Sequence, residues 1–482
     1  MSDATPEVLV LGASIAGLST ALFLHRRGLQ VRVLDADPAA AVADVDEAAR
    51  RDVRWTTPQA AHSHAFLARG LAVLRAEAPD VLDALVAAGA PLRALEPPAT
   101  VPEPRPEPDP ELVTLAARRT TFEAVLRRVV AAEVEVRVGV AATGLRFDHR
   151  SSTPRVVGVD TDDGATHLAP VVIDATGRRG KVHRWLGDAD IAVDDRDADC
   201  GIAYHSRFHR LHIGAAPGPL GRGFTGGGSF DRYSCLVFPG DDDTFSVTFG
   251  VLPEDKALRG LRTEEGFAAA AARIEPIAPW VDPARSTPIS GVSTMTRMRN
   301  RVRRTVVDGR PTVTGIVSVA DAAAISNPAH SRGCSLALAH AQAVADAVAT
   351  HLHDPLCLAR TADQSIVDVL LPWVADSERQ DRARLANWRG DDATAEAVFP
   401  SRSLRLRNGE AYLAAQHDPY VWERFTRLQQ LLELPGAVLD DEEVVRRTRA
   451  VQTAGASLPS YAAPSHEELA ELLTRTTDRS AA

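Results

Sequence analysis

The feature that most constrains the fold is a six-residue segment, Gly12-Ala13-Ser14-Ile15-Ala16-Gly17, set between an apolar run and an amphipathic one. Residues 7–11 (EVLVL) have the continuous apolar character of a buried parallel strand. Helical spacing follows from about Ser14 to Arg27, with Ile15, Leu18 and Leu22 on one face. His25, Arg26 and Arg27 suit the negative C-terminal end, and Gly28 can terminate the helix. VRVLD (31–35) then supplies a second strand, completing a compact βαβ unit. Gly12 permits the tight turn. Ser14, small enough to stand for the usual second glycine, lets backbone approach a pyrophosphate, and Gly17 allows close helix–strand packing. The helix start at Ile15 and Ala16 offers free N–H groups to phosphate. Asp35 closes the second strand, where it can accept hydrogen bonds from a ribose. This spacing predicts nucleotide binding without distinguishing one dinucleotide from another.

The rest of the chain excludes several other classes. Its 482 residues, 45% of them hydrophobic, can bury a large core in two or three structural domains. A net charge of −10 argues against a general nucleic-acid binder, and Arg301, Arg303 and Arg304 read as a solvated positive face. Cys200, Cys235, Cys334 and Cys357 show no paired spacing, so neither zinc nor a disulfide framework is expected. No apolar stretch is long enough to span a membrane, and no basic leader with an apolar run opens the chain. The expectation is a soluble, cytoplasmic protein acting on a small molecule.

Residues 64–90 are predicted helical, broken around Pro79, and the proline-rich 97–110 is an extended linker or flap. Thr120-x-x-Glu123 predicts a capping box opening a helix to about Ala132. Short alternating segments at 135–138, 145–147 and 156–159 read as a β-meander inserted before a further parallel strand in 169–177. Residues 201–251 are mostly strand, and a strand over 312–320 ends at Asp321. A long apolar helix is predicted from Gly333 to His351, and the last 120 residues are largely helical.

Three later segments add to the fingerprint. The first runs from Arg54 through Pro58, Gln59, His62 and His64. The second is VVIDATGRRG, with Asp174 and Gly177. The third covers 319–335 and holds Asp321, Asn327, Pro328, Gly333, Cys334 and Ser335. In this order, and with Arg119 ahead of its helix, they give a chain that resembles the class A-type flavoprotein monooxygenases of para-hydroxybenzoate-hydroxylase-like fold. The resemblance is to a bacterial branch that includes polyether-forming epoxidases, and it covers roughly residues 5–350. Ala320 and Ser331 depart from it, standing where that branch carries glycine.

The resemblance implies an α/β fold, with a discontinuous FAD-binding, Rossmann-like (GR2-type) domain over 1–80, 111–195 and 300–355. A β-sheet substrate domain over 81–110 and 196–299 and a helical C-terminal region over 356–482 complete it. It implies FAD contacts from Gly12, Ser14, Ile15, Ala16, Gly17, Asp35, Arg54, Arg119, Asp174, Gly177, Asp321, Pro328, Gly333 and Cys334. His62, His64 and Tyr233 are catalytic candidates, with Tyr204, Phe224 and Phe238 as further pocket residues. The two histidines lack a third ligand nearby, so no metal is expected; hydrogen bonding near the flavin and a proton relay are both open. The implied activity is that of an FAD-dependent oxidoreductase, a hydroxylase or epoxidase passing one oxygen atom from a flavin C4a-hydroperoxide to a small organic or natural-product substrate. NAD(P)H or a separate flavin reductase would supply electrons. A reductase or dehydrogenase, and a protein using FAD structurally for a non-redox cyclisation, are the alternatives. A flavin halogenase is disfavoured: no lysine precedes Lys181, and no Trp-x-Trp-x-Ile-Pro segment occurs.

Overall fold

The computed structural model describes residues 5–38, 56–102, 107, 109–221, 223–390, 397–399 and 403–481. Its centre is a five-stranded parallel sheet in the order Ile316–Ser318, Val171–Asp174, Val8–Leu11, Val31–Asp35, Glu135–Val138. The strands inside the edge Glu135–Val138 are short, mostly apolar and covered on both faces, as parallel strands require. One face packs on helices Ile15–Arg26, Ala68–Glu77, Pro79–Ala87, Arg119–Glu133 and Gly333–His351 through Val8, Val10, Leu18, Leu71, Leu85, Phe122 and Leu338. The other packs through Leu9, Leu11, Leu34 and Val172 on a three-stranded meander, Ala142–Asp148, Arg155–Thr161 and Thr166–Leu168, which supplies Val156 and Val159.

Several expectations change here. Residues 135–138 leave the meander: Glu135–Val138 is the edge strand of the parallel sheet, reached directly from helix Arg119–Glu133. The capping box is absent. The helix starts at Arg119 with Arg118 as an uncapped N-cap, and the Glu123 carboxylate turns to Ser14 and Arg119 instead. Helix Pro79–Ala87 buries Val81, Leu82 and Leu85 in the same core as the parallel sheet, so a domain boundary at 80 would cut a packed helix.

Over one end of this body lies an antiparallel roof. Its strand order is Gly226–Ser229, Tyr233–Pro239, Thr244–Val251, Ala203–Leu211, Ser286–Pro288, and Ser206 pairs with Thr248 across the central ladder. Alternation sends Tyr233, Cys235, Val247 and Phe249 outward, into a core closed by Phe267, Trp280, Leu469 and Leu473. Leu469 and Leu473 belong to helix His466–Ala481, so the end of the 356–482 region is part of the roof's outer layer. The arginine run is not a free solvated face. Strand Arg299–Arg304 pairs with Asp194–Asp199, and Arg301 donates to Asp195 at 2.7 Å. Arg304 donates to Asp363 at 2.8 Å, and Arg303 is buried. Among the described residues, no helix is long and apolar enough to cross a membrane.

Helix Leu371–Arg389 ties the loop after the last parallel strand to the roof. Buried Asp381 accepts from Asn327 Nδ2 (2.5 Å), Asn300 Nδ2 (2.9 Å) and Arg384 (3.2 Å). Asn327 Oδ1 in turn accepts from Tyr204 Oη at 2.6 Å. Removing one carboxylate strands three donors in a buried setting, which costs about 3–5 kcal/mol when a buried pair is broken. Asp381→Ala is therefore expected to lower the free energy of unfolding in urea by that amount, and Asp381→Asn, which keeps one acceptor and the shape, by clearly less.

Candidate functional site

The fingerprint loop is built by exclusion. Gly12 has φ +104°, and a Cβ there would lie 2.7 Å from the Ala175 carbonyl oxygen. A Cβ on Gly17 would lie 1.9 Å from the Gly12 carbonyl oxygen. Neither position admits a side chain, so strand, loop and helix meet at backbone contact. Ser14 is extended (φ −103°, ψ −172°) and does not cap its own helix. Its Oγ donates to Glu123 Oε1 at 2.7 Å and accepts from Arg119 Nη2 at 2.9 Å. The first turn at Ile15, Ala16 and Gly17 thus has no side-chain cap, and its positive end is directed at whatever lies over the loop. The Asp35 carboxylate accepts from the Ala13 N–H (2.6 Å) and the Asp37 N–H (2.7 Å), which places it beside the same loop.

Helix Arg119–Glu133 delivers a row of charged groups at four-residue spacing. Arg119 Nε donates to Glu123 Oε1 at 2.9 Å, and Arg127 Nη2 donates to the Ala13 carbonyl at 3.2 Å. Arg119 Nη1 stands 3.5 Å from His64 Nε2. Glu123 was missed as a site residue because its place in a cap motif explained it. The Arg119–Glu123 spacing of i, i+4 was the signal that could have found it. The Arg119 charge also reaches Asp321 and Cys334. Burial raises the Asp321 carboxyl against the pull of Arg119 and Arg178. Burial likewise pushes the Cys334 thiol up to about 11, so at neutral pH it is an uncharged thiol at the start of helix Gly333–His351.

His62 and His64 line one crevice with Arg119, Phe208 and Phe238, but from an irregular segment and not a strand. The free volume there is ≈ 10 Å³, room for one water. His64 Nδ1 lies 2.9 Å from the His62 carbonyl, an acceptor only. Nδ1 therefore carries the proton, and Nε2 presents a lone pair to Arg119. Burial and the Arg119 charge hold His64 down to about 3. Burial holds His62 down to about 4. His62 Nδ1 meets Ser206 Oγ at 2.9 Å, Ser206 meets Thr248 at 2.7 Å, and Thr248 meets Ser63 at 2.5 Å. This hydroxyl chain runs along the inner face of the roof. Among the described residues there is no group of three or more His, Cys, Asp or Glu able to hold a metal.

The two departures from glycine both fall where glycine is wanted. Ala320 has φ +51° and Ser331 φ +55°, left-handed conformations that L side chains resist. Ala320 is held by buried His340, whose Nδ1 accepts the Ala320 N–H at 2.9 Å. Asp321 follows at once and faces Gly177, where a Cβ would lie 3.9 Å from the Asp321 Cβ. Pro328 opens the short turn before Ser331 and is exposed, while Gly333 begins the long helix.

Other expected residues go elsewhere. Asp174 spends its carboxylate on the Thr176 N–H (3.0 Å) and hydroxyl (2.5 Å), closing its own turn. Tyr233 does not join the histidines: it lies in the outer core of the roof, and its hydroxyl donates to the Pro464 carbonyl at 2.7 Å. Tyr204 is committed to Asn327. Phe224 is partly buried against the C-terminal helices. Arg54 lies outside the described residues.

No family model matches the chain. One curated relative, Protein Rv3254 of Mycobacterium tuberculosis, is 29% identical over 299 residues, 56% of this chain and 60% of that protein. The chain thus spans less than two thirds of that relative's length. Solved structures match far more of the backbone. A flavoprotein/dehydrogenase from Cytophaga hutchinsonii superposes with TM-score 0.63 at 14% identity, over 93% of this chain and 100% of that one. The flavin-dependent brominase Bmp2 gives 0.60 at 16%, over 94% and 99%. PqsL of Pseudomonas aeruginosa, a probable FAD-dependent monooxygenase, gives 0.58 at 18%, over 80% and 99%. The chain has the FAD-binding fold of flavin-dependent monooxygenases and halogenases. At these identities the fold is what is shared.

Two outcomes follow from this geometry. A left-handed non-glycine residue costs about 1–2 kcal/mol, and glycine costs about 0.5–1 kcal/mol more to order. Ala320→Gly and Ser331→Gly should therefore each raise the unfolding free energy by about 0.5–1 kcal/mol in urea titrations. The second concerns pH. His62 and His64 are depressed in the folded chain, so below about 6.5 the unfolded chain binds protons that the folded one refuses. Stability contributed by keeping them neutral is full above 6.5 and is lost as pH falls toward 4. Urea midpoints should fall between pH 7 and pH 5, and the fall should be shallower in His64→Gln.

Proposed function

We propose that this chain binds FAD and acts as a flavin-dependent monooxygenase on a small organic substrate. The observation that carries the reading is the convergence of an uncapped helix N-terminus, Arg119 and Asp321 at one place beneath the roof. This donor set fits a dinucleotide. The Ser14–Gly17 turn and Arg119 would hold the pyrophosphate, Asp35 the ribose, and Asp321 with the start of helix Gly333–His351 the flavin end. Glu123 fixes Arg119 in place through Nε and leaves Nη1 turned toward His64. Bound there, FAD would supply the electron transfer and oxygen activation.

The protein's own part is positioning, exclusion of water and proton handling. Around the hydroxyl chain the inner face of the roof offers Ser206, Thr248, Leu236 and Phe238, which suits an uncharged reacting group; Arg210 stands at the far end of its strand, paired with Asp242. His62, neutral at physiological pH, can pass a proton along Ser206, Thr248 and Ser63 without a charge being left on the imidazole. Oxygen transfer is favoured over halogenation because the only lysines, Lys181 and Lys256, are exposed and sit apart from this crevice's lining.

The test begins with the purified protein's absorbance spectrum and its FAD content after reconstitution. A colourless protein that takes up no FAD ends the proposal. The reduced enzyme is then screened with candidate substrates under ¹⁸O₂, and the expected product has gained one labelled oxygen. Product formed without oxygen uptake, or carrying halogen when halide is added, overturns the monooxygenase reading. Asp35→Ala and Arg119→Ala each remove a charge-assisted hydrogen bond worth ~1.5–3 kcal/mol. Both variants should stay folded by circular dichroism and bind FAD about tenfold or more weakly in fluorescence titrations.

A further inference from the structure

The chain leaves the parallel sheet through Val319, whose N–H still bonds the Asp174 carbonyl at 2.9 Å. Ala320 comes next, buried and left-handed. Its N–H passes out of the ladder and donates to His340 Nδ1 at 2.9 Å. A ring nitrogen that accepts carries no proton, so Nε2 carries it and donates to Ser365 Oγ at 3.0 Å. Ser365 Oγ in turn donates to the Ala362 carbonyl at 2.6 Å. Each donor along this line meets an acceptor, which fixes the tautomer. Burial holds the imidazole down to about 3, so it stays neutral and Nδ1 keeps its lone pair.

A left-handed alanine is strained by its own Cβ, and a buried N–H is costly without an acceptor. The bond to His340 answers both. Ser331, the other left-handed residue of this segment, is closed by backbone, its N–H on the Pro328 carbonyl at 2.9 Å. Only Ala320 of the two is tied to a side chain on another element. That side chain lies about two turns into helix Gly333–His351, whose first turn belongs to the flavin end of the proposed site. Its other nitrogen reaches Ser365, where helix Pro355–Ser365 gives way to the wider turn Ile366–Leu370. One imidazole thus joins the strand end, the long helix and the helix behind it. Asp321 follows Ala320 directly, facing Gly177 and within the reach of the Arg119 and Arg178 charges. Rotation about φ of Ala320 swings the residue after it, so the bond to His340 sets the direction of the Asp321 carboxyl.

We propose that His340 is a positioning residue of the flavin end: through Nδ1 it holds the Ala320 turn, and so aims the Asp321 carboxyl at the ligand. Naming FAD as that ligand rests on the flavoenzyme reading above; the hold on Ala320 does not.

The experiment compares two variants of the full chain that each keep one half of the imidazole. In His340→Asn the amide oxygen falls where Nδ1 lies and can accept from the Ala320 N–H. In His340→Gln the amide falls where Nε2 lies, so Ser365 keeps a partner and Ala320 loses its own. Fluorescence titration should give an FAD Kd within about twofold of the parent for His340→Asn and about tenfold weaker for His340→Gln. A role in packing alone ranks them the other way, since glutamine fills more of the space. With Asp321→Ala added, the two variants should bind FAD equally. Equal losses in the two single variants, a greater loss in His340→Asn, or a gap that survives Asp321→Ala would each overturn the assignment. Amide hydrogen exchange is read on the same proteins without FAD. The Ala320 N–H should exchange slowly in the parent and in His340→Asn, and faster in His340→Gln. Exchange at the free-chain rate in the parent overturns the hold even where a variant fails to fold. A parent that takes up no FAD counts against the flavoenzyme reading alone, since the exchange comparison still decides the hold on that protein.

Discussion

The site depends on one carboxylate, that of Glu123. Oε1 accepts from both the Ser14 hydroxyl and Arg119 Nε, so a single oxygen joins the dinucleotide loop to helix Arg119–Glu133. The Ser14 side chain would otherwise be free to turn back and cap its own helix. Drawn toward Glu123, it leaves the first-turn N–H groups facing outward, and the macrodipole of helix Ile15–Arg26 remains available to an anion. The same contact sets the reach of the Arg119 guanidinium, and through it the electrostatic setting of His64, Asp321 and Cys334.

Around this contact the molecule divides its charges sharply. Around Ser206 and Thr248 the roof's inner face is hydroxyl and apolar, the histidines below it are neutral, and the Cys334 thiol stays protonated. Positive charge is concentrated at the loop end, in Arg119 and Arg127. A ligand with an anionic group at the loop and an uncharged portion under the roof finds the pattern it needs.

The sequence made the local pieces readable because they are written in nearest-neighbour physics. The βαβ unit, the break at Pro79 and helix Gly333–His351 follow from periodicity and from glycine and proline placement. Glu123 was hidden because a cap motif and a long-range ion pair use the same residue at the same spacing. Residues 135–138 alternate well enough for a meander, yet tertiary pairing with Val31–Asp35 placed them in the parallel sheet. Tyr233 shows information present but unused. It lies five residues from Phe238 on one strand, an odd separation, so the two cannot share a face, and a pocket containing Phe238 excludes Tyr233.

Helix His466–Ala481 has a meaning for the order in which the chain is made. The roof's main ladder is complete by Val251 and its edge strand by Pro288, but its outer core is sealed by Leu469 and Leu473. A ribosome delivers those two leucines long after the strands they cover, so during synthesis the sheet waits with Phe249 and Phe267 incompletely shielded. The parallel sheet behaves in the same way, since its last strand, Ile316–Ser318, arrives well after Val8–Leu11. Neither half can therefore finish as an early unit: the parallel sheet waits for Ile316–Ser318, and the roof's outer core waits for the closing helix.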